Sequence, residues 1–107
     1  MKLTDLHAQI ADAGGEGIYQ ADMTPAPRRI GVGLYLDCPC GCGKMHFLHF
    51  QNPIDGGAHY ADRGQTTWVR TGTTLEALTL RPSILFDPVK GGCGWHGFIT
   101  NGEVTTA

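Results

Sequence analysis

Cys38-Pro39-Cys40-Gly41-Cys42-Gly43 sits between two runs that alternate like strands, Ile30–Asp37 before it and Met45–Phe50 after it. In the first run Ile30, Val32, Leu34 and Leu36 share one face, and Gly31, Gly33, Tyr35 and Asp37 share the other. In the second, Met45, Phe47 and His49 oppose His46, Leu48 and Phe50. Strand, cysteine-glycine turn and strand predict a β-hairpin with thiols at its tip. Fifty residues on, Cys93-Gly94-Trp95-His96-Gly97 offers a second glycine-rich turn. All four cysteines of the chain lie in these two stretches.

Thiolate and imidazole are the preferred ligands of zinc, and structural sites use four of them in a tetrahedron. Cys38, Cys40, Cys42, Cys93 and His96 are therefore the candidate metal ligands. The second turn has the form Cys93-x-x-His96. The first alternates cysteine with proline and glycine, so it contains no Cys-x-x-Cys. Two of its three thiols are expected to join Cys93 and His96, with Cys38 and Cys40 slightly favoured; the third packs as a free thiol, or His96 stands outside the ligand shell. Five ligands can fill four positions and leave none for water, so one structural Zn2+ is expected rather than a catalytic one. The alternative is four cysteines buried or paired without metal. No export signal supports an oxidising compartment, and the three alternating cysteines are too close in sequence to pair easily.

Around these turns the chain reads as mainly β, a small α+β domain of zinc-ribbon-like antiparallel hairpins with a short N-terminal helix. Its 107 residues suit one metal-stabilised domain, divided as helix 1–15, loop 16–28 and β domain 29–107. A domain of this size buries only about two-thirds of the surface its unfolded chain exposes. Sixteen glycines further dilute the core, so a metal staple would matter to stability. Within residues 2–13, Leu3, Leu6, Ile10 and Ala13 recur at helical spacing, and Gly14-Gly15 stops the run. Prolines mark 14–28 as loop, with Ile18-Tyr19 as one short extended piece. Residues 51–66 form a polar loop, Thr66–Arg70 a short strand, and 73–78 either one helical turn or extended chain. Thr79–Phe86 is extended, with Pro82 pointing to an edge position. Asn101-Gly102 between Trp95–Thr100 and Glu103–Thr106 signals a two-residue type I′ hairpin pairing Ile99 with Val104.

Eight Lys and Arg against ten Asp and Glu give a net charge of -2, which lacks the basic footprint of a phosphate-binding protein. No apolar run reaches membrane-spanning length, and the polar start Met1–His7 does not resemble a signal peptide, so a cytoplasmic location is expected, host cytoplasm if phage-encoded, with no membrane partner. Ser83 follows Pro82 and lacks the glycine-flanked elbow of a hydrolase nucleophile. His59, near Asp55, Tyr60 and Asp62, has nothing to order it as a catalytic set, so no catalytic residue is assigned. His46 and His49 read as surface or core histidines of a strand, with a second site as the alternative. Trp68, Trp95, Tyr35 and Phe98 read as an aromatic core or, less readily, as a surface for stacking nucleic-acid bases.

Two resemblances add to this. Cys93-Gly94-Trp95-His96-Gly97-Phe98 followed by Gly102-Glu103-Val104 looks like the second half of a Rieske iron–sulfur motif, but the Cys-x-His half is missing upstream. An iron–sulfur cluster is accordingly not expected. More of the chain is covered by the order Cys38–Gly43, Trp68, Thr79-Leu80-Arg81-Pro82-Ser83-Ile84 and Cys93–Val104. It resembles a small domain of unknown function common in phage and prophage genomes, which implies a zinc-ribbon-like fold and transfers no reaction. The resulting expectation is a non-enzymatic zinc-binding accessory protein, an interaction or inhibitor module acting on a host or phage protein. The alternatives are a nucleic-acid-binding zinc ribbon and a metalloenzyme or Rieske-like redox protein.

Overall fold

The computed structural model describes residues 1–13, 19, 21–24, 29–56 and 66–107. Seven strands form one sheet in chain order: β1 (Gln9–Ala13), β2 (Arg29–Asp37), β3 (Met45–Phe50), β4 (Thr67–Thr71), β5 (Thr79–Leu85), β6 (His96–Thr100) and β7 (Glu103–Thr106). The sheet curls into a half-barrel. Every neighbouring pair is antiparallel except β3 and β4, which run parallel through His49↔Thr67 and Phe50↔Trp68. The expected β-rich class holds; the simple ribbon of separate hairpins is replaced by one continuous curled sheet.

Side chains on the inner face make the core: Leu34 and Leu36 from β2, Leu48 and Phe50 from β3, Trp68, Leu80 and Ile84, then Ile99 and Val104. Leu3, Leu6 and Leu78 fill its remaining space. The outer face carries Tyr35, Val69, Leu85 and Phe98, each roughly half exposed. There Phe47 lies over Gly33, where a Cβ would run into its ring, and the Tyr35 ring stacks beside it with centroids 4.5 Å apart.

The helix expected over 2–13 is one turn of 3-10 helix, Leu3–Leu6, closed by His7 in a left-handed conformation. Ile10 then pairs with Leu34 along the edge of β2. Leu3 and Leu6 still point into the core as the helical spacing required, but the open edge of β2 claims residues 9–13. A ladder partner there satisfies backbone groups that a lone helix of this length gains little from. The extended piece expected at Ile18-Tyr19 survives as a bridge at Tyr19; Ile18 lies outside the described residues.

Pro82 does not mark an edge strand, because β5 lies between β4 and β6. It sits after a cis Arg81–Pro82 peptide, where the β4 ladder has ended at Arg81 and the β6 register shifts between Leu80 and Ile84. A residue with no N–H is tolerated at such a break in the ladder. Over 73–78 the chain makes a turn closed by the Ala77 N–H donating to Thr74 O. The Asn101-Gly102 hairpin forms as expected: both residues have positive φ, and Ile99 faces Val104.

Candidate active site

Both thiol-bearing turns are drawn together at one end of the sheet. The first is closed by the Cys38 N–H donating to Lys44 O, with Gly41 and Gly43 at positive φ. The second hangs between β5 and β6 and is stitched by the Gly94 N–H to Phe86 O and the Phe86 N–H to Trp95 O. Gly92 passes so close to the Phe86 carbonyl that a Cβ there would collide with it. The Lys44 ammonium donates to Gly91 O at 2.8 Å and ties one turn to the other.

As a result Cys38, Cys40, Cys42 and Cys93 hold their sulfurs within 4.8 Å of one another. Cys93 Sγ lies 3.1 Å from Cys38 Sγ and 3.1 Å from Cys40 Sγ, and the last two are 3.2 Å apart. No disulfide joins them; all four are free thiols. Four sulfur donors suit a tetrahedral ion, and at a Zn–S length of about 2.3 Å the sulfurs would stand roughly 3.8 Å apart, a small outward adjustment. The cluster can therefore hold a metal ion. Burial raises the Cys38 thiol strongly. Cys40 is also raised, chiefly by its hydrogen bond to Cys93. Cys93 receives the Cys40 and Cys38 hydrogen bonds and falls from 9.0 to about 7, so the negative charge of the group concentrates there.

His96, the fifth candidate ligand, is placed elsewhere. Its Nε2 lies 3.0 Å from Ser83 Oγ. Strand geometry explains the encounter. Leu85 pairs directly with His96 across β5 and β6, and Ser83 is two residues back on the same face of β5. Ser83 and His96 are thus diagonal neighbours, roughly 7–8 Å apart at the backbone, a distance a histidine ring can bridge. The Trp68 indole N–H donates to Ser83 O at 3.3 Å and ties the strand that carries Ser83 to the core. A hydroxyl in hydrogen-bond reach of an imidazole is the pairing that lets serine act as a nucleophile. Among the described residues no carboxylate is paired with His96.

Sequence reasoning set Ser83 aside because no glycine elbow surrounds it. The structure supplies the exposure in another way, by placing Ser83 on the outer face of a strand beside a cavity of about 650 Å³ whose wall includes Phe47, His49, Trp68 and Leu85. No local signal announces this pair, since only the β5–β6 register brings it together. Of the other candidates, His46 stacks on Phe86 with centroids 3.7 Å apart, and its buried Nε2 has no partner among the described residues. Burial holds its pKa below 6.5, with the Lys44 charge adding to the effect. His59, Tyr60 and Asp62 lie outside the described residues. The four aromatics separate: Trp68 and Trp95 are buried in the core, while Tyr35 and Phe98 remain on the outer face. Neither resemblance describes this site. No histidine joins the sulfur cluster among the described residues, as a Rieske centre requires. No described helix is long and apolar enough to cross a membrane.

Comparison with known proteins gave no match among curated proteins and none among solved structures. A family model does match, and it corrects two expectations. The phage and prophage domain of unknown function gives way to a named bacterial family. The non-enzymatic interaction or inhibitor module gives way to a family described by a catalytic activity. The match runs over residues 19–107, all of the chain past its first eighteen residues, and the chain belongs to the family described as bacterial ubiquitination-like system serine protease, BubE.

Proposed function

We propose that the chain is a serine peptidase in which Ser83 is the nucleophile and His96 the general base. The observation that carries this is the 3.0 Å approach of His96 Nε2 to Ser83 Oγ on an open sheet face. His96 takes the hydroxyl proton as Oγ attacks the scissile carbonyl. The same imidazole then returns that proton to the departing amine. Water, activated by His96 in turn, hydrolyses the acyl-serine and restores the hydroxyl. The family description supports a substrate that is a protein of a bacterial ubiquitination-like system, cut at an amide bond.

We assign one structural Zn2+ to Cys38, Cys40, Cys42 and Cys93. The four thiolates would hold the ion, which would supply a rigid cross-link rather than an activated water. The chain's own residues explain why that cross-link matters to catalysis. Cys93 stands three residues before His96, and the turn between them is bonded at Phe86 to the end of the strand that carries Ser83. Fixing Cys93 therefore fixes the entry of β6 and the direction of the base.

Treatment with a fluorophosphonate tests the nucleophile, because phosphonylation of Oγ with loss of fluoride requires an activated serine. One adduct mapping to Ser83 by peptide mass spectrometry is expected, lost in Ser83→Ala and strongly slowed in His96→Ala. Labelling that persists in Ser83→Ala would refute the assignment.

A further inference from the structure

Ser83 also forms one wall of a second depression on the outer face, about 520 Å³ in volume, lined by Val69, Leu80, Pro82, Phe98 and Thr100. Its character is apolar. Leu80 is buried, while Val69 and Phe98 each leave 45% of their surface open to it and to solvent. Arg81 is the one charged residue among those described around it. Apolar side chains left open beside a nucleophile are what a substrate pocket of this kind presents.

Its position relative to the base gives it a direction. His96 lies across from Leu85, on the C-terminal side of Ser83 along β5. The depression is built from Thr79–Pro82, on the N-terminal side. The amine that leaves must collect its proton from His96, so the leaving segment occupies the His96 side of Ser83. The acyl segment extends the other way, over the depression. From Ser83 back to Thr79 is four residues of strand, about 13 Å at about 3.3 Å each, the reach of some four extended substrate residues.

We propose that this depression is the acyl-side specificity groove, selecting an apolar side chain within the last four residues before the scissile carbonyl. The inference rests on Ser83 as nucleophile and names the feature of substrate that the site reads.

Tetrapeptide phosphonates test it, because they report on the acyl side without a natural substrate. Each of the four positions carries Leu or Phe in one series and Ser or Asp in the other, and the rate of Ser83 inactivation is measured. Diisopropyl fluorophosphate, which lacks any peptide, serves as the control for the nucleophile. The groove predicts that at one position at least the apolar series reacts about 10-fold faster or more, the scale on which hydrophobic pockets discriminate. Val69→Asp should abolish that preference and Val69→Leu should keep it. Equal rates for the two series, with Ser83 still labelled by the control, overturn the groove alone. An apolar preference that survives Val69→Asp does the same. Failure of the control reagent to label Ser83 overturns the nucleophile and the groove together.

Discussion

His96 Nε2 stands 3.0 Å from Ser83 Oγ, although the two lie thirteen positions apart in sequence and a four-cysteine cluster ends only three positions before His96. A serine–histidine pair, to which we assign the roles of nucleophile and base, and a thiol cluster thus lie close together on β5, β6 and the turn between them. Substitutions on each side separate their contributions.

Ser83→Ala and His96→Ala should each lower kcat by about 10³-fold or more, because the two side chains act as one unit and loss of either removes the step. The double variant should be little worse than either single one. Both side chains belong to the outer face, so urea denaturation should show stability changed by no more than about 0.5 kcal/mol. Steady-state kinetics of the two single variants and the double variant, set beside their unfolding curves, check this.

Replacing any one of Cys38, Cys40, Cys42 and Cys93 with Ser should reduce bound zinc from one ion per chain toward none and lower the thermal midpoint. Metal analysis of purified protein and a thermal melt report both. Zinc affinity should also weaken steeply on acidification, since the thiols must lose their protons to bind. Cys93, near 7, gives up its proton most readily, and buried Cys38 resists longest. Competition with a chromophoric chelator from mildly acidic to mildly alkaline pH would measure the slope.

His46 provides an acid-sensitive element. Its folded pKa is depressed below 6.5 by burial, so the unfolded chain binds this proton more readily than the folded one. Well above 6.5 the group is neutral in both states and its titration contributes nothing to stability. As pH falls from 6.5 through the folded value, the unfolded state is progressively favoured. His46→Phe keeps an aromatic ring over Phe86 and removes a buried Nε2 that has no partner among the described residues. The variant should be as stable as wild type at about pH 7.5 or more so by up to about 1 kcal/mol. It should lose less stability on moving to about pH 5.5, a difference that paired urea titrations at the two pH values will show.

Gly97→Ala should damage fold and activity together. A Cβ at Gly97 would collide with Thr105 O and with the ring of Trp95. Overpacking of this kind costs about 1–3 kcal/mol and displaces backbone. Gly97 adjoins His96 on β6, so the imidazole should move with it. Denaturation midpoints and kcat are both expected to fall, whereas Val69→Leu, on the open outer face, should leave the midpoint almost unchanged.

Local chemistry was enough to define several parts of this molecule. Alternation over 30–37 and 45–50 set the two strands that flank the first thiol turn, because one apolar face forces the pleat. Asn101-Gly102 set the β6–β7 register to the residue, because two adjacent positive φ values permit only one tight turn. The two cysteine clusters identified a sulfur site whose members needed only to be brought together. Long-range pairing decided the rest. Residues 9–13 carried helical spacing yet became a strand, since the open edge of β2 offered more hydrogen bonds than an isolated turn. Pro82 indicated an edge and entered an interior strand, because the ladders on both sides break around it. His96 carried the spacing of a metal ligand, but the pleat turned it to the outer face of β6, diagonal to Ser83 and away from the sulfurs. Sequence spacing records which residues are neighbours along a strand. The register between β5 and β6, set by how the whole sheet packs, determined that a serine and a histidine meet.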